Sequence, residues 1–131
     1  MARRPVLIAS AARDPFVSEL VQALQNQGWE VITIHNVETA QRVVRTRQPA
    51  LAILDPVLPG GDAISLCQQW KHDPETSEMP VFFFSVLMAR DRCIEAGADG
   101  FMLKPIEQDR LIEQVREVLN NRVRRLRRRE K

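Results

Sequence analysis

Five short apolar runs recur along this chain, and they limit its fold more than any other feature. They are Val6-Leu7-Ile8-Ala9, the β-branched stretch Val31 to Ile34, Leu51-Ala52-Ile53-Leu54, Val81-Phe82-Phe83-Phe84 and Phe101-Met102-Leu103. They do not alternate strictly between apolar and polar residues, which suits strands covered on both faces. The segments between them carry helical spacing. Asp14-Pro15 pairs a capping residue with a helix-starting proline, and Phe16, Leu20, Ala23, Leu24 and Gln27 mark one face up to a stop at Gly28. Ala40, Val43 and Val44 predict a second helix ending about Arg47. Asp62 is placed to cap a third, with Ala63, Leu66, Cys67 and Trp70 on its buried side. A short fourth helix runs through Ile94 to a stop at Gly97, and a long fifth begins about Glu107.

Five strands alternating with helices imply a parallel sheet with right-handed crossovers. The expected architecture is an α/β, flavodoxin-like three-layer sandwich with a five-stranded sheet of order 2-1-3-4-5 and five helices. One domain, residues 1–121, accounts for everything except a basic C-terminal extension, residues 122–131. In sheets of this type the ligand site lies beyond the carboxyl ends of the strands. That rule draws together Ala9 to Ala12, Asp55, Ser85 and Lys104.

A chain of 131 residues, 44% of them hydrophobic, is long enough to bury one core and too apolar for disorder. No apolar run approaches the ~20 residues of a membrane span. Met1 to Pro5 lacks the apolar stretch and cleavage site of a secretory signal, so the expected location is cytoplasmic. Cys67 and Cys93 sit outside any CxxC spacing and read as buried reduced thiols. His35 and His72 have no partner at metal or triad spacing and read as surface or hydrogen-bonded histidines. Gly60-Gly61 lacks the Gly-Lys-Ser/Thr ending of a phosphate loop and reads as a turn. The net charge of +2 combines −4 over residues 1–121 with +6 over residues 122–131.

Asp55 directly follows the third run and would project its carboxylate at the sheet edge. Ser85 offers a hydroxyl and Lys104 a cation from the ends of two further strands, and Pro105 is a candidate for a cis peptide bond that would aim the lysine. An aspartate forming an acyl phosphate, with a hydroxyl and a cation holding the transferred group, is established chemistry. The stretch from Leu51 through Asp55 to Leu58-Pro59-Gly60 resembles the phospho-acceptor motif of response regulator receiver domains. Glu95-Ala96-Gly97-Ala98-Asp99, leading to Lys104-Pro105, resembles the segment before that family's Lys-Pro. Gly28 to Val31, and Asp73 to Thr76 up to Pro80-Val81, are similar as well, so the resemblance spans about residues 5–120.

The resemblance implies a two-component signalling domain of bacterial type whose partner is a sensor histidine kinase or another signalling protein. It places Asp55 at the phospho-acceptor position, and Ser85 and Lys104 at the phosphate contacts. It makes Phe101 the aromatic residue that turns inward on activation, and Val57 the residue whose backbone carbonyl helps to hold magnesium. The family's two adjacent magnesium-binding carboxylates after the first strand are replaced here by Ser10-Ala11, with Ala12 next. Magnesium takes hard oxygen ligands, usually one or two carboxylates with water and phosphate. The replacement puts that cofactor in doubt, together with the charge neutralisation it supplies.

Asp14, ahead of Pro15, reads as a helix cap rather than as a substitute ligand. The chain between Ser85 and Glu95 is also shorter than the family's, and Val86 replaces a small residue after the switch hydroxyl. The expected function is a receiver-like domain acting by protein–protein contact, with phosphorylation of Asp55 weak or absent. The alternative is a conventional phosphorelay regulator, phosphorylated on Asp55 by a histidine kinase.

A haloacid-dehalogenase-type phosphotransfer enzyme wants a second acid two residues after the nucleophile, where this chain has Val57. A flavin or nucleotide binder wants a phosphate-cradling loop after the first strand, and Ala9-Ser10-Ala11-Ala12 is too short for one. No enzymatic activity is expected. Towards the C-terminus Ile112, Val115, Leu119, Val123 and Leu126 keep helical spacing, and a helix over 107–128 would be ~33 Å long. The basic extension reads as a solvated end, as a connector to an output domain or a homodimer stem, or as a contact for nucleic acid or an anionic surface. No aromatic residue is interleaved and no helix-turn-helix follows, so sequence-specific DNA reading is unsupported.

Overall fold

The computed structural model describes residues 4–129, with the side chains of residues 108 and 121–129 left out. In chain order the elements are β1 (Val6–Ala9), α1 (Pro15–Asn26), β2 (Val31–Ile34), α2 (Val37–Arg47), β3 (Leu51–Leu54), β4 (Val57–Leu58), β5 (Gly61–Asp62), α3 (Ala63–His72), β6 (Val81–Ser85), α4 (Arg90–Glu95), β7 (Gly100–Leu103) and α5 (Gln108–Arg129). All four residues of β1 and of β3 are buried, as is the whole of β6. The five longer strands form one parallel sheet of order β2-β1-β3-β6-β7, which is the expected 2-1-3-4-5 arrangement.

Successive side chains of each strand enter opposite layers. Leu7, Ala9, Leu54 and Phe83 pack with Ala40 and Val44 of α2, Leu66, Cys67 and Trp70 of α3, and Cys93 of α4. Val6, Ile8, Ile53, Phe82 and Phe84 pack with Leu20 and Leu24 of α1 and with Leu111, Val115 and Val118 of α5. Burying each large side chain of this kind stabilises the fold by roughly 1.5–3 kcal/mol.

Local chemistry sets the element boundaries. Asp14 caps α1 and Asn36 caps α2, each through a side-chain oxygen that accepts a backbone N–H, and Asp62 does the same for α3. Asp99 staples the amino ends of β6 and β7. Its Oδ2 accepts the Val81 N–H at 2.9 Å and the Lys71 ammonium at 2.8 Å.

Two details of α1 differ from the spacing argument. Val17 is buried and Phe16 only partly so, while Gln27 is exposed, because the helix ends at Asn26 and Gln27 turns away as its cap. The antiparallel pair β4–β5 was not anticipated at all. None of the described helices is long and apolar enough to cross a membrane. The 22 residues of α5 make a helix of ~33 Å; Val123 and Leu126 of the projected apolar stripe fall outside the described side chains.

Candidate functional site

The strand registers bring the chemistry to one edge. Ala9 lies level with Ile34 and Leu54, Leu54 with Phe83, and Ser85 with Leu103, so the residues that follow these strands meet beyond their carboxyl ends. Backbone bonds continue the ladder for one more step. Ser10 N–H donates to Ile34 O, Asp55 N–H to Ala9 O at 2.9 Å, and Lys104 N–H to Ser85 O at 2.8 Å.

Lys104 is the centre of the site. Its ammonium donates to Asp55 Oδ2 at 3.3 Å and to Asp14 Oδ2, and it stands 5.1 Å from the centre of the Phe84 ring. The lysine side chain is only 2% exposed, against 13% for Asp14 and 16% for Asp55. The peptide bond from Lys104 to Pro105 is cis. Asp55 uses its other oxygen, Oδ1, to accept the Val57 N–H at 3.0 Å.

The hydroxyls are engaged locally. Ser85 is buried and its Oγ accepts the Leu87 N–H at 3.0 Å. Ser10 is buried too, and its Oγ donates to the Ala11 carbonyl at 3.3 Å. His35 approaches the same corner, with Nδ1 2.9 Å from the Ser10 carbonyl, and His72 Nδ1 lies 2.8 Å from Gln68 O. Phe101 is partly buried and lies level with Phe83 in the sheet, packed against the α2–α3–α4 layer.

A strand-end aspartate is thus joined to a strand-end lysine on a sheet of this order, and comparison with known proteins identifies the family. Residues 12–116 match the family described as Response regulator receiver domain. The chain belongs to that family. It is 31% identical over 108 residues to the phosphate regulon transcriptional regulatory protein PhoB of Pseudomonas aeruginosa, covering 80% of this chain and 47% of that protein. It is 30% identical over 110 residues to the DNA-binding dual master transcriptional regulator RpaA of Synechocystis, covering 81% and 46%. The chain thus spans about half the length of these curated relatives. Among solved structures, the receiver domain of a signal transduction histidine kinase from Syntrophus aciditrophicus superposes with a TM-score of 0.77 at 25% identity, over 89% of this chain and 91% of that one. A CheY-like receiver domain from Methanospirillum hungatei shares the fold with a TM-score of 0.82 at 19% identity, over 95% and 99%.

Receiver domains are signalling modules rather than enzymes, and they typically bind magnesium beside the acceptor aspartate. Among the described residues no three His, Cys, Asp or Glu side chains stand together as a metal-holding group. The Asp14 and Asp55 carboxylates are both occupied by an ammonium, and Ser10 and Ala11 bring no anionic oxygen.

Asp14 is the residue at this edge that sequence reasoning saw only in part. The capping role is there, with Oδ1 accepting the Phe16 N–H at 2.9 Å. Its second oxygen reaches a lysine 90 residues away, and no local pattern announces a contact of that separation.

Proposed function

We propose that this receiver domain signals by protein–protein contact, with phosphorylation of Asp55 weak or absent. The observation that carries this reading is the end of β1. Ser10, whose hydroxyl is turned onto its neighbour's carbonyl, and Ala11, which has no side-chain donor atom, stand where the resemblance expects two carboxylates. A phosphoryl group arriving at Asp55 brings charge spread over its oxygens, and catalysis of such transfers rests on neutralising that charge. Lys104 is in place to do so, and it already serves two carboxylates.

In this reading Asp55 holds the phospho-acceptor position, paired with Lys104, while Ser85 and Lys104 hold the phosphate-contact positions and Phe101 the switch position. The contact surface runs from the site mouth over Val86, Leu87 and Met88 to Leu103, all exposed apolar residues. A contiguous exposed apolar strip of this kind suits a protein partner. That partner is a sensor histidine kinase or another signalling protein. The C-terminal extension, residues 122–131, either leads to an output domain or a second copy, or meets an anionic surface. Because the relatives are about twice as long, an output segment joined through α5 is the favoured arrangement.

Incubation with magnesium and a small acyl phosphate, followed by intact mass with Asp55→Asn as control, tests the reading. The expected result is no phosphoryl adduct, or a trace that grows very slowly. A stoichiometric adduct that disappears in Asp55→Asn would make the chain a conventional phosphorelay regulator.

A further inference from the structure

We propose that Asp14 is a latch on the phospho-acceptor pocket, holding the Lys104 ammonium that an incoming phosphoryl group needs. This deepens the reading above and rests on Asp55 being the acceptor position.

The two oxygens of Asp14 have separate tasks. Oδ1 accepts the Phe16 N–H and fixes the first turn of α1. One oxygen suffices for a cap, since serine and threonine cap helices with a single hydroxyl. The other, Oδ2, is free for a second task and pairs with Lys104. The chain makes that reach through Arg13, whose φ of 67° lies in the left-handed region that residues with a β-carbon rarely enter. Arg13 thereby turns the loop after β1 back over the strand ends before α1 begins.

An ammonium has three donors and accepts nothing. Here two of them go to Asp14 and to Asp55, and the Phe84 ring lies 5.1 Å away. With its side chain 2% exposed, Lys104 has little water to exchange for a new partner. A phosphoryl oxygen must therefore displace a charge-assisted bond to Asp14 in order to gain its own. The Asp14 charge also repels the incoming group, so both effects oppose occupation of the pocket. A partner that shifts the loop of residues 10–14, or the start of α1, would release the lysine and open the site.

Asparagine and serine both cap helices about as well as aspartate, and neither carries its charge. Asp14→Asn and Asp14→Ser therefore remove the latch while keeping the first turn of α1, and circular dichroism confirms the fold of each. The readout is the rate of Asp55 labelling by a small acyl phosphate with magnesium present. In that step an Asp55 oxygen forms a new O–P bond as the donor's O–P bond breaks, and the donor carboxylate leaves with the electron pair.

Both variants are expected to label at least about tenfold faster than the native chain, as loss of one charge-assisted bond predicts. Adding Lys104→Met should abolish the gain, which a purely structural role for Asp14 would not produce. The native rate by itself tests the proposed function; the ratio of variant to native tests the latch. Equal rates, including no labelling of any form, overturn the latch, and the native rate then decides on its own whether weak phosphorylation stands. Slower labelling of the variants also overturns it and makes Asp14 a contributor to the chemistry. Ready labelling of the native chain with a further gain in the variants keeps the latch and overturns the functional reading.

Discussion

A β-carbon added at Gly100 would stand 2.5 Å from the edge of the Phe82 ring, closer than any real side-chain contact. Phe82 is itself buried in the layer that packs α1 and α5 against the sheet, so the ring has nowhere to move. Gly100→Ala is expected to destabilise the domain by about 1–3 kcal/mol, as overpacking of a filled core does. A lower urea midpoint at unchanged slope would register it; an unchanged midpoint would mean that the sheet edge yields. Nothing in the local sequence announces this constraint, because the neighbour that forbids a side chain comes from another strand. The thiols were easier to read. Cys67 and Cys93 are free and buried, and burial pushes the Cys67 thiol up to about 11 and the Cys93 thiol upward as well. The thiolate is the reactive form, so neither should react with iodoacetamide at pH 8 until denaturant is added. Intact mass after a timed exposure checks this, and fast alkylation of the native chain would contradict it.

At the scale of elements, the runs that became strands were legible because both of their faces are covered. Leu51 to Leu54 need no alternation when α1 and α5 pack one side and α2 and α3 the other. Helix starts were legible for a related reason, since Asp14 and Asp62 advertise their caps locally. The hairpin β4–β5 was not, because two-residue strands leave no period to detect. The start of α4 was obscure as well, since Ala89 precedes it with no side-chain capping bond. The end of α2 is another uneven boundary. Gln48 closes that helix with φ 45° and ψ 66°, a left-handed cap that glycine adopts without the β-carbon penalty. Gln48→Gly removes a steric cost of about 1–2 kcal/mol and adds back roughly 0.5–1 kcal/mol of backbone entropy. The net expectation is a gain of about 0.5 kcal/mol, a melting temperature higher by about 1–3 °C. Gln48→Ala should show no gain; equal gains from both would place the effect outside the backbone conformation.

Taken as a whole, the molecule divides by charge at a different place from where its longest helix ends. The described core runs from Val6 to Val118, while α5 continues to Arg129. Residues 122–131 hold +6 of formal charge and residues 1–121 hold −4. If the domain is complete by residue 121, a chain cut after Asn121 should keep its melting temperature to within about 3 °C, the shift expected for a change below 1 kcal/mol. A drop several times larger would mean that the extension belongs to the fold. The same cut reverses the sign of the net charge, from +2 to −4. The 131-residue chain should therefore be retained on a sulfated polyanion column and elute as salt is raised, since each phosphate- or sulfate-like contact releases counterions. The shortened chain should pass through at low salt. Equal retention of both forms would move the cationic contact onto the body of the domain, where Arg42, Arg45 and Arg47 stand exposed on α2.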